Sequence, residues 1–172
     1  TWRWKLASGD LDLNLGIRGQ RWATEDNTQW VGGPRGHLAF TPEAHPMTTY
    51  RLSGGYYHQT PFFREMRGFD GVINTDIQPQ RSIHAVAGVD HQFESNGRPF
   101  KWVGELYYKD LSNLIPYEIE NVRQRYYATN NASGYATGVD MMLNGEFIPG
   151  VQSWLRMSAL KTEEDLVDDS YE

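Results

Sequence analysis

The sequence predicts an all-β fold, an antiparallel up-and-down meander of about seven strands of the transmembrane β-barrel type. Three observations predict it. Apolar residues recur with a period of two in segment after segment and almost nowhere with the helical period. The connections between those segments alternate short and long along the chain. The best-defined segment, residues 135–147, covers roughly 30 Å along a bilayer normal at the usual barrel tilt.

Composition agrees. The 172 residues include 17 Gly, 10 Tyr, 7 Phe and 6 Trp, a profile rich in the aromatic strand formers. A net charge of −6 argues against a nucleic-acid partner, which needs a basic surface, while leaving room for local basic patches. The absence of cysteine removes disulfides, thiolate catalysis and thiolate metal sites. No apolar run reaches 18 residues, so no transmembrane helix is expected; barrel strands, which carry only alternation, remain open. The opening "TWRWKLASGD" lacks a signal-peptide core and already reads as strand.

Taken in order, residues 10–22 set Leu11, Leu13, Leu15 and Ile17 against Asp12, Asn14, Gly16 and Arg18. Residues 34–40 set Leu38 and Phe40 against Arg35 and His37. Residues 48–59 put Tyr50, Leu52 and Tyr56 opposite Arg51, Ser53 and Tyr57. Residues 81–93 alternate less cleanly, with Ile83, Ala85, Ala87 and Val89 opposite His84, Val86, Gly88 and Asp90. Residues 100–111 oppose Trp102, Leu106 and Tyr108 to Lys101, Glu105 and Lys109. Residues 135–147 place Tyr135, Val139, Met141, Leu143 and Phe147 on one face and Asp140, Asn144 and Glu146 on the other. The last segment, from Val151, sets Leu155, Met157 and Ala159 against Arg156 and Ser158, with Trp154 on the polar side.

Three connections are short and carry turn residues: "TPEAHPM", "ESNGRP" and "IPG". Those between them are long: "ATEDNTQWVGG", "TPFFREMRGFDGVINTDIQPQ" and "SNLIPYEIENVRQRYYATNNASG", with the acidic "TEEDLVDDSYE" beginning a fourth. Successive hairpins in a meander turn at opposite ends of the sheet. One end therefore carries tight turns and the other long loops, the asymmetry of an outer-membrane barrel with short periplasmic turns and long extracellular loops.

The strand E-x-Y-Y-K-D at 105–110, the run N-x-A-x-G-Y-A-x-G-x-D at 130–140, and G-I-R at 16–18 followed by P-R at 34–35 resemble the barrel of TonB-dependent outer-membrane receptors, particularly those of Bacteroidetes. The resemblance covers nearly the whole chain. It implies a 22-stranded barrel around a plug, located in the bacterial outer membrane, importing a scarce nutrient such as a siderophore, haem, vitamin, glycan or peptide with energy delivered by TonB. About seven strands, with no plug-like segment and no TonB box, lead us to expect a partial barrel domain over residues 1–172, from the middle-to-late part of a larger wall. The partners implied are outer-membrane lipid, the plug domain of the same full-length chain, TonB acting through a region N-terminal to this one, and an unidentified nutrient. A surface lipoprotein over the barrel is an open alternative.

No enzyme, cofactor or metal motif stands out. The five histidines show no H-x-H or H-x-x-x-H spacing, and no D-x-D-x-D-G calcium pattern is present. "GGPRG" lacks the Lys-Ser/Thr of a phosphate loop. The charged positions opposite the apolar stripe, Arg18, Arg35, Arg51, Glu105, Lys109, Asp140 and Arg156, are expected to face the lumen and contact the plug or substrate. In the long connections, Arg64, Arg67, Tyr117, Arg123, Arg125 and Tyr126 are candidate substrate contacts, because arginine and aromatic side chains combine contact area with directional donors. The rival fold is a soluble β-barrel that binds a small ligand, in which the apolar stripe would line a core. A surface adhesin is a third reading, and it lacks the expected repeats.

Overall fold

Alternating sequence places the chain in one open antiparallel sheet, seen in a computed structural model that describes residues 1–24 and 27–167. The strands are β1 (Trp2–Leu6), β2 (Gly9–Ala23), β3 (Thr28–Pro42), β4 (Thr48–Gln59), β5 (Gln80–Ser95), β6 (Arg98–Leu114), β9 (Ala132–Ile148) and β10 (Val151–Leu166), paired in that order. A separate hairpin, β7 (Tyr117–Glu120) with β8 (Arg123–Tyr126), rises from the β6–β9 connection. The sheet is an up-and-down meander, as expected, with eight strands rather than about seven. The added one is β1, whose Trp2, Trp4 and Leu6 pair with Leu13, Leu11 and Gly9.

Register keeps like with like. Leu13, Leu38, Leu52, Ala87, Leu106, Val139 and Ala159 fall opposite one another from β2 to β10 on one face. Asp12, Ala39, Arg51, Gly88, Glu105, Asp140 and Ser158 do so on the other. A slip of one residue in any strand would exchange the two sets, so the pattern itself fixes the pairing.

The connections 7–8, 43–47, 96–97 and 149–150 lie at one end of the sheet. Three are two residues long, and two of these carry residues suited to a tight turn. Asn96 and Gly97 both take positive φ, 55° and 70°, as a type I′ hairpin requires, and Gly150 takes φ 79° after Pro149. The opposite end carries 60–79 and 115–131. The expected long loop after β2 is instead four residues, because β2 and β3 each run to 15 residues and pair through Ala23 and Thr28. A bilayer uses about 9–11 residues of each strand. The surplus projects as a two-stranded ribbon, so the side of the asymmetry is unchanged. Likewise Thr162–Leu166 extend β10 against β9 rather than starting a loop, and the end of that acidic tail, 168–172, lies outside the described residues.

Aromatic side chains band the apolar face at two heights. Towards the turns, Phe93 stacks on Phe100 at 5.5 Å and Phe100 meets Phe147 edge-on at 5.3 Å. Towards the loops, Tyr108 stacks on Tyr135 at 6.1 Å. Phe100 also lies across Gly145, and on the opposite face Tyr107 lies across Gly138, each covering backbone that lacks a side chain of its own.

Between the bands the apolar residues are not buried. Leu52 and Leu106 are each 59% exposed, and among the described residues no large side chain of this stripe reaches the core. The core sits elsewhere, in Met66, Ile77, Ile115 and Tyr126 at the loop end, with Trp22 packed against it. Among the described residues the sheet does not close around the apolar stripe.

Candidate functional site

The loop end is held by side chains that bond to backbone, as a structured loop without ladders needs. Asn130 does most of this. Its Oδ1 accepts from the Gln78 amide at 2.6 Å while its Nδ2 donates to the Gln78 and Asn113 carbonyls, both at 2.9 Å. Asn74 reaches the Ala128 carbonyl at 2.9 Å, and Gln29 on β3 reaches that of Ile77 at 3.1 Å. The buried Glu65 carboxylate accepts from the Phe62 amide at 2.8 Å, closing the turn that carries Arg64 and Arg67. Ile77, 1% exposed, is the centre on which these pieces pack.

Against this cap stands a cavity of about 520 Å³ lined by Phe63, Arg64, Arg67, Gly68, Arg123, Gln124, Arg125 and Tyr126. It brings together five of the six loop residues expected to contact substrate. The sixth, Tyr117, packs on Tyr126 at 5.7 Å instead and supports the hairpin from behind. Arg125 is engaged by Glu120 at 2.6 Å, the Phe69 carbonyl at 3.2 Å and the Phe69 ring at 4.6 Å. Arg67 donates to the Gly71 carbonyl at 3.2 Å. Arg64 lies 5.9 Å from both the Phe62 and Tyr126 ring centres. Among the described residues neither Arg64 nor Arg123 forms an ion pair.

The hairpin that presents Arg123 turns through Asn121 and Val122, at φ 45° and 74°. A type I′ turn suits Asn at the first of these, but a β-branched residue at the second is strained. Val122 is 97% exposed, so no packing offsets that strain. Val122→Gly is expected to stabilise the hairpin by up to about 1 kcal/mol, read as stronger hydrogen-exchange protection across β7 and β8. Weaker protection would contradict the turn geometry.

Below the cap, the polar face of the sheet divides into two levels. Near the turns, Arg51 pairs with Asp90 at 2.6 Å and Glu105 at 2.9 Å, and Lys101 pairs with Asp90 at 2.8 Å. Asp140 and Arg156 line the same depression, which thus holds three cations and three carboxylates. Nearer the loops the chemistry changes. The Arg35 guanidinium covers the Tyr57 ring at 4.2 Å, Tyr57 stacks on His84 at 4.2 Å, and Lys109 beyond them approaches Tyr107 at 5.3 Å. Arg18 lies higher still, beside Gln20 and His58.

All seven charged residues expected on the inner face are thus on the polar face, sorted into a neutralised lower group and a cationic upper one. Asp90, Lys101, Tyr57 and His84 belong to these groups and were not singled out from sequence. Their signal was the same alternation, weakened at Asp90 because residues 81–93 are partly apolar on both faces.

A sheet with an unburied apolar face banded by aromatics, a charged opposite face, tight turns below and a structured cap above defines a wall of a transmembrane β-barrel. Residues 1–170 match the family model described as TonB dependent receptor-like, beta-barrel. The chain belongs to that family, whose members are receptors and transporters of the outer membrane. No curated protein and no solved structure matches the chain.

Proposed function

We propose that this chain is part of an outer-membrane active transporter that binds a scarce nutrient at its loop end and imports it with energy transmitted by TonB. The observation that carries this reading is the division of labour across the fold. The apolar face is left without a core, while the loop end has one of its own and holds five arginine and tyrosine residues around a single cavity. A wall needs only lipid on that face; a capture site needs rigid loops.

In this reading the described strands form part of a larger barrel, closed by strands on either side of β1 and β10, because open edges in hydrocarbon cost several kcal/mol per unpaired group. The polar face is the lumen, and its charge-balanced lower group, with Arg51, Glu105, Asp140 and Arg156, meets a plug domain of the full-length chain. The cavity residues Arg64, Arg67, Arg123, Arg125 and Tyr126 contact the nutrient, with Tyr117 holding Tyr126 in place.

Deleting the full-length gene from its host and scoring growth on single limiting nutrients tests this. We expect one class of nutrient to be lost, and the same class to be lost when TonB is removed while surface binding persists. Normal growth on every limiting nutrient, or uptake that continues at full rate without TonB, would refute it.

A further inference from the structure

We propose that the loop-end cavity takes an amphipathic anion, a carboxylate- or phosphate-type oxyanion held by Arg64, Arg67 and Arg123 and joined to an aromatic or apolar body lying against Phe63. This deepens the proposed function and rests on its assignment of the loop end as the capture site.

Charge is the first reason. The cavity lining holds four guanidinium groups and no carboxylate. Glu120 offsets only Arg125. The three like charges that remain around one hollow repel, and an arrangement of this kind is stabilised by an anion entering it. The chain as a whole is acidic, at −6, so the concentration of cations here is local rather than a reflection of composition. Guanidinium groups match carboxylate and phosphate with paired parallel donors. A neutral sugar would need acceptors as well as donors, and the side chains of this lining offer only the Gln124 amide and the Tyr126 hydroxyl as acceptors against four guanidinium donors.

The second reason is an apolar neighbour. Phe63 lines this cavity and also a second hollow, shared with Trp22, Pro61, Met66 and Ile73. At 67% exposure, Phe63 stands between a cationic site and an apolar one. A ligand spanning both has an anionic end and an apolar body.

The third reason lies on the wall beneath. Arg18, Arg35 and Lys109 form no ion pair among the described residues, and the Arg35 Nε is buried without an acceptor. Arg51, four positions' worth of strand lower by the register of Ala39 with Arg51, is paired twice. Cationic character therefore continues from the cavity onto the upper lumen and stops where carboxylates begin, a gradient that would draw an anion inward.

The test uses full-length receptor in neutral detergent and pyranine, a water-soluble trianionic aromatic dye, read by fluorescence polarisation. The neutral 4-methylumbelliferyl glucoside serves as the uncharged comparison. Wild-type receptor is expected to bind pyranine, more weakly as salt rises, and to ignore the glucoside. Arg67→Ala with Arg123→Ala should weaken pyranine at least tenfold, about what losing charge-assisted bonds implies. Lysine at both positions should restore part of the affinity, and Phe63→Ala should weaken it several-fold. Heat-modifiable electrophoretic migration confirms that each variant barrel is folded.

Equal pyranine affinity in wild type and the double-alanine variant, no pyranine binding by wild type, or preference for the glucoside would overturn the proposal. The two readings fail separately. Nutrient uptake that needs TonB together with no pyranine binding removes only the anion assignment. Pyranine binding lost in the double-alanine variant, in cells whose nutrient uptake does not need TonB, removes only the transporter reading.

Discussion

Leu106→Arg is expected to cost the folded barrel about 2–4 kcal/mol in a lipid bilayer, while Leu160→Arg costs less than about 1. The comparison is stringent because the two positions are matched. Leu106 pairs with Val139 and Leu160 with Gly138, so they sit at nearly the same height. Their exposures in the sheet are close, 59% and 63%. The chemical change is identical. Only the face differs: Leu106 lies in the stripe with Leu52 and Ala87, and Leu160 lies on the side of Tyr107. If water bathed both faces, the two substitutions would have similar and small effects. Near the middle of a bilayer, an arginine on the outer face must be desolvated or drag water inward, whereas one in the lumen stays hydrated. Urea unfolding of full-length receptor in vesicles measures both. Equal costs would mean that the apolar stripe does not face lipid.

Ile77→Ala is expected to loosen the loop cap by about 2–5 kcal/mol without unfolding the barrel. Ile77 is 1% exposed and packs with Met66, Ile115 and Tyr126. Truncation leaves a cavity in a small core that has few other residues to share the loss. The strands below are joined by their own ladders from β1 to β10, so the damage stays local. Limited proteolysis should cut within 60–79 and 115–131 in the variant and not in wild type, while heat-modifiable migration is unchanged. Because Tyr126 lines the arginine cavity, ligand affinity should fall with the cap. Protease resistance equal to wild type would show that the cap is held by its hydrogen bonds through Asn130 and Asn74 rather than by this core.

Strand segments were legible in the sequence because their signal is local. Residues 135–147 alternate without interruption, and β9 contains all of them. The turns were legible for the same reason: Asn96-Gly97 and Pro149-Gly150 supply the φ angles their hairpins need. Where the signal was short or mixed, the reading stopped early. β1 has only five residues, so the strand-like opening does not count among the seven, and it is placed by pairing with β2. The ends of β2 and β3 carry polar residues on both faces, so their pairing beyond the bilayer could not be seen as alternation.

The loop site was legible as residue types and not as a place. Arg64 and Arg67 precede Arg123 and Arg125 by more than fifty residues, and nothing in either segment says that they meet. Their meeting depends on Asn130 and Asn74 joining the two connections, and on Ile77 filling the space between them.

By itself, then, the sequence determined which residues form strands, which face each presents, and at which end the tight turns fall, since all three follow from period-two patterning and turn chemistry within a few residues. The tertiary structure decided which of those residues come together. It left Leu52 and Leu106 without a core, gathered Arg51, Asp90, Lys101 and Glu105 into one neutral group, and closed the arginines of two distant loops around a single cavity. Contacts of that kind join segments far apart in the chain, and only the register of the whole sheet and the packing of its cap bring them into reach.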